Sequence, residues 1–163
     1  IGYQAGQTSQ KKNAVAIGLG AGITSQGIQS VAIGSSAGDT NQNDNAVAVG
    51  SFAGYQDQSG NAIAIGSSAG HTSQGSNAVA IGFLAGQTSQ KEHAVALGYS
   101  AGRTSQKEYA VAIGYQAGNN AQQSYSIAIG NQAGLNNQQF DSEEKAYTSS
   151  SKRYGKGTWN FFF

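Results

Sequence analysis

A sixteen-residue repeat runs through this chain without slipping phase, and a strict repeat restricts the possible folds more than composition does. Ile1, Ile17, Ile33, Val49, Ile65, Ile81, Leu97, Ile113 and Ile129 open nine successive units. A Gly follows each of them, and an Ala-Gly pair comes three residues later, from Ala5-Gly6 to Ala133-Gly134. The tenth position is Gln in every unit: Gln10, Gln26, Gln42, Gln58, Gln74, Gln90, Gln106, Gln122 and Gln138. Positions fourteen to sixteen read Ala-Val-Ala, with Ser or Ile as the only substitutions.

The run Ala14-Val15-Ala16-Ile17 alternates small and large, which is the period of a strand, and a Gly then stops it. Two glycine columns and a polar T-S-Q-x-x-N stretch break any helix, and no apolar stripe at three-and-four spacing appears. At about 3.3 Å per residue, sixteen residues trace roughly 50 Å, one coil of a parallel β-solenoid with coils about 4.8 Å apart. The expected fold is therefore all-β, a parallel β-solenoid of nine sixteen-residue coils over residues 1–138.

Alternation sends Val and Ile to one side of the strand and both alanines to the other. On size, the large column is expected inside: Val15, Val31, Val47, Ile63, Val79, Val95, Val111 and Ile127, with the Ile column beside them. The strip Ala16, Ala32, Ala48, Ala64, Ala80, Ala96, Ala112 and Ala128 then faces outward. A solvated strand face would drift toward polar residues, so a small apolar strip that never varies is expected to be an oligomer interface. Two large aliphatics per coil also make a lone rod marginal against the ordering of sixteen residues, which favours lateral association. For the Gln column two structural readings stand: an amide ladder linking successive coils, or a turn residue capping backbone groups of its own coil.

Composition removes several function classes. Net charge is +1 with 10% charged residues, which lacks the basic excess that nucleic acid demands. No cysteine is present, so there is neither a disulfide framework nor a thiolate metal site. Apolar runs are too short to span a membrane as a helix. The two histidines, His71 and His93, fall at different positions of different units. Thr-Ser pairs such as Thr24-Ser25 have no nearby base, and Gly18-Leu19-Gly20-Ala21-Gly22 lacks the Lys or acidic partner of a nucleotide loop. Asp39, Asp44 and Asp57 share no column. No catalytic, metal or cofactor-binding residue is expected, and no enzyme. Interruptions at Gln56, Asn120 and Asn136 weaken the Thr column that an ice-ordering face would need.

Position three carries Tyr3, Phe83, Tyr99 and Tyr115, among serines. Adjacent rings about 4.8 Å apart form a stacking ladder, the stronger reading, or a platform for a sugar or protein partner. After Gln138 the period fails. Residues 139–163 are expected to be a cap or docking segment, with Trp159, Phe161 and Phe163 on one strand face able to extend a neighbour's sheet.

The recurring A-V-A-I-G-x-x-A-G resembles the head repeats of trimeric autotransporter adhesins, the YadA-like family, which read N-S-V-A-I-G-x-x-S. Asn77-Ala78-Val79-Ala80-Ile81-Gly82 carries the resemblance most closely, and it covers residues 1–138. Similar I-G-x-x-A-G arrays look like those in fibre proteins of large DNA viruses and phages. The resemblance implies a left-handed β-roll, three chains side by side, and a non-enzymatic adhesin head that is extracellular, on a cell or virion surface. It implies a host receptor, matrix protein or glycan as partner. The alternative is a structural filament or fibre shaft that polymerises through the C-terminal tail. Two departures stand out: the unit is longer than the family's, and no neck or heptad stalk follows the repeats in these residues. The opening on Ile1 reads as a processed product or a segment of something longer.

Overall fold

A computed structural model of the chain describes residues 1–136. Gln138 and the segment 139–163, with Trp159, Phe161 and Phe163, lie outside the described residues. Each sixteen-residue unit closes one turn of a parallel β-solenoid, and the described residues hold about seven stacked coils and no helix.

Two sheets face each other across a narrow interior. The larger has eight parallel strands of three residues, from Val15–Ile17 at one end to Ile127–Ile129 at the other. Pairing follows the repeat in register: Ala80 lies between Ala64 and Ala96, and Val79 between Ile63 and Val95. The smaller sheet stacks Thr24–Gln26, Thr40–Gln42, Gln56–Gln58 and Thr72–Gln74. Single bridges from Thr72 through Thr88, Thr104 and Asn120 to Asn136 continue it.

Five residues per turn take left-handed backbone, and they make the corners. In one turn these are Gly66, Ser68, Gly70, Ser73 and Asn77, with φ of 121°, 55°, 51°, 55° and 57°. Ser and Asn tolerate that region because short polar side chains bond to nearby backbone. At Gly66 the requirement is stricter. A Cβ there would sit 2.7 Å from the carbonyl oxygen of Gly82 in the next turn, so backbone packs directly on backbone.

The strand faces are the reverse of the size-based expectation. Ala32, Ala48, Ala64, Ala80, Ala96, Ala112 and Ala128 are fully buried, and Ala16, on the first rung, nearly so. The alanines at positions five and fourteen, such as Ala69 and Ala78, join them inside. Val15, Val31, Val47, Ile63, Val79, Val95, Val111 and Ile127 point outward instead, with the Ile column beside them. Width is the cause. With a corner at almost every third residue, the turn closes too tightly to hold two branched side chains beside the Gln side chain. The Ala strip therefore cannot be the lateral interface, because it lies wholly inside its own chain.

Candidate functional site: an apolar sheet face with aromatic edges

The interior is organised by glutamine. Gln26, Gln42, Gln58, Gln74, Gln90, Gln106 and Gln122 are buried, whereas Gln10 on the first turn is exposed. Nε2 of Gln74 donates to the carbonyl oxygen of Ile63 at 2.7 Å and to Oε1 of Gln90 at 3.1 Å. Gln58 donates to Gln74 in the same way, as Gln90 does to Gln106 and Gln106 to Gln122. Because the nearby carbonyl can only accept, it fixes which end of each amide carries the nitrogen. Ladder and backbone cap thus operate at once in one side chain. Gln42 Oε1 alone lacks a partner among the buried side-chain polar atoms described.

An interior filled this way leaves the large aliphatics outside. The outward face of the eight-stranded sheet is two columns wide, Val or Ile at position fifteen and Ile, Val or Leu at position one, with no charged residue. Val15 and Ile17 are each 39% exposed, Leu97 42% and Ile129 51%. A continuous apolar face of this length is a candidate contact surface.

Aromatic stacks flank that face. After the strands, in column three, Phe83 lies 5.3 Å from Tyr99, and Tyr99 lies 5.2 Å from Tyr115 with rings 16° from parallel. Tyr3 stands apart in the same column, with Leu19 next to it, and is exposed. Before the strands, in column thirteen, His93 stacks on Tyr109 at 4.9 Å, and Tyr109 on Tyr125 at 5.0 Å and 4°. Sequence reasoning missed this second stack. The signal was present, since His93, Tyr109 and Tyr125 are sixteen apart where other units have Asn or Gln.

A third cluster joins Phe52, Tyr55 and His71. Tyr55 and His71 are stacked at 5.0 Å, and Phe52 meets Tyr55 edge-on at 5.7 Å. His71 Nδ1 lies 2.9 Å from Thr72 Oγ1, and partial burial lowers its pKa. The two histidines thus sit in different columns, each engaged with a tyrosine rather than with each other. Among the described residues no group of three His, Cys, Asp or Glu could hold a metal ion, and no helix is long and apolar enough to cross a membrane.

Residues 105–133 match the YadA head domain repeat, in two copies. The YadA-like stretch includes the Val111–Ile113 and Ile127–Ile129 strands with Tyr109, Tyr115 and Tyr125. The same Gly, Ala and Gln columns run through the units before that stretch. No curated protein and no solved structure matches the chain.

Proposed function

We propose that this chain is the non-enzymatic head of an extracellular surface fibre, in which three copies associate laterally and present their outer surfaces for attachment. The observation that carries this reading is the uncharged Val/Ile face, exposed or half-buried on every rung of the larger sheet. A lone rod would leave that face in water, whereas neighbouring copies bury it and add the core that a narrow solenoid lacks. The YadA-like repeats support a trimer and a surface location. The second sheet and the polar corners remain free for a receptor, matrix protein or glycan.

Light scattering on the purified chain tests this. The expected mass is about three times 16.6 kDa. Val79→Lys with Ile81→Lys, both on the outward face, should reduce it to that of one chain while the β-type circular dichroism persists. A native chain that is monomeric at micromolar concentration sinks the reading. Long unbranched fibres in negative stain would favour the filament alternative.

A further inference from the structure

We infer that the pairs Tyr99–Tyr115 and Tyr109–Tyr125 are sites of oxidative cross-linking, each closing a carbon–carbon bond between neighbouring turns of one chain. The inference concerns a single chain and stands whether or not copies associate. Three observations carry it. First, among the described residues these four tyrosines alone stack on another tyrosine. Ring centroids are 5.2 Å apart at 16° in the first pair and 5.0 Å apart at 4° in the second. Nearly parallel rings at that spacing bring the ortho carbons of the two phenols close. All four side chains are exposed, from 46% for Tyr99 to 66% for Tyr125, so the rings have room to swing together by side-chain rotation alone.

Second, each stack holds two phenols and then ends on a ring without one. Phe83 lies 5.3 Å beyond Tyr99, and His93 lies 4.9 Å beyond Tyr109. Tyr55 is set between Phe52 and His71, and Tyr3 has Leu19 next in its column. The geometry therefore allows one bond per stack, and both bonds join the turn 97–112 to the turn 113–128.

Third, Tyr109 and Tyr125 sit in left-handed backbone, with φ of 57° and 61°. Asn45, Asn61 and Asn77 hold that corner elsewhere and suit it, whereas a bulky ring there is strained. The paired rings are not what the corner asks for.

The co-reactant is a peroxide, activated for one-electron oxidation. Each phenol gives up one electron and one proton. The two phenoxyl radicals join through their ortho carbons, and the ring hydrogens displaced there return to the oxygens as the rings regain aromaticity. One hydrogen peroxide takes up the two electrons and two protons and leaves as two waters. Each bond closes a loop of sixteen residues, as a disulfide would, in a chain that has no cysteine. Thiol reductants do not open it.

The test illuminates ruthenium tris-bipyridyl with persulfate, a small one-electron oxidant, in the presence of dilute native or denatured chain. Dityrosine fluorescence should appear about tenfold faster or more in the native chain, because folding holds the phenols together. Denaturing gels should keep the fluorescent product at the mass of one chain. Trypsin cuts after Arg103 and Lys107, so the first bond joins peptide 92–103 to peptide 108–145. The second stays within 108–145 and lightens it by two hydrogens. Tyr115→Phe should abolish the joined peptides and leave the lightened one, and Tyr125→Phe should do the reverse. Both variants keep the stacked ring, and an unchanged circular dichroism spectrum checks their fold. Phe83→Tyr combined with Tyr115→Phe should move the first bond one turn earlier, to positions 83 and 99. Absence of dityrosine in the native chain, or equal rates in native and denatured chain, would overturn the proposal. So would bonds to Tyr3 or Tyr55, or joined peptides found only in gel bands of several chains.

Discussion

Gly70 and Gln74 show how single residues make this interior. Gly70 has φ of 51°, and a Cβ there would fall 2.6 Å from Oε1 of Gln74. The sixth-position glycine and the tenth-position glutamine are therefore one device, the first leaving the space that the second fills. Gln74→Leu keeps the volume but strips Gln58 Nε2 of one acceptor, Gln90 Oε1 of a donor, and the Ile63 carbonyl of its amide. The expected loss is roughly 2–5 kcal/mol, read from chemical denaturation. The column itself was legible, since nine identical residues cannot be missed. Its place was not. Burial scales put Val and Ile inside ahead of Gln, and they carry no information about how wide a sixteen-residue turn is. Here hydrogen-bonding capacity and cross-section decide the interior, so size alone assigned both strand faces the wrong way round.

The stacks along the rod are elements in their own right, assembled from residues far apart in their turns' sequences but adjacent in space. Tyr99 contacts Phe83 on one side and Tyr115 on the other. Tyr99→Ser should cost about 1–3 kcal/mol, two ring contacts' worth, and lower the melting temperature. The backbone will accept the change, because Ser35, Ser51 and Ser67 occupy the same column. Column three was legible from spacing alone, and column thirteen obeyed the same arithmetic. What hid it was chemistry, since a column of Asn reads as a corner and a tyrosine in left-handed backbone is unexpected there. The Tyr55–His71 stack adds a pH response. Burial lowers the His71 pKa, so the unfolded chain takes up the proton first as pH falls. Stability should be full above the ordinary histidine value of about 6.5 and decline as pH drops below it, levelling once the folded pKa is passed. Melting curves across that range should show the decline in the native chain. His71→Gln, matching Gln87 of the next unit, should remove that part of it.

At the scale of the whole molecule, what distinguishes one turn from another lies outside. Arg103 Nε donates to Gln87 Oε1, Ser124 Oγ to Glu108 Oε2, and Asn41 Nδ2 to Asp57 Oδ1, each between neighbouring turns on the surface or close to it. The interior repeats the same Ala, Gly and Gln columns, with Ser30, Ser100, Asn119 and Ser126 as the buried departures, and so gives most turns no address. Excising residues 33–48 joins Ala32 to Val49 in phase, and should leave a folded rod of similar melting temperature with one rung fewer. Removing only residues 33–40 sets the columns out of phase and should abolish cooperative melting. Length is thereby uncoupled from stability. A chain of this kind acts as a ruler graduated in steps of about 4.8 Å, each costing sixteen residues and no redesign. How far such a rod reaches is set by counting units, and any change in reach is made by whole units or not at all.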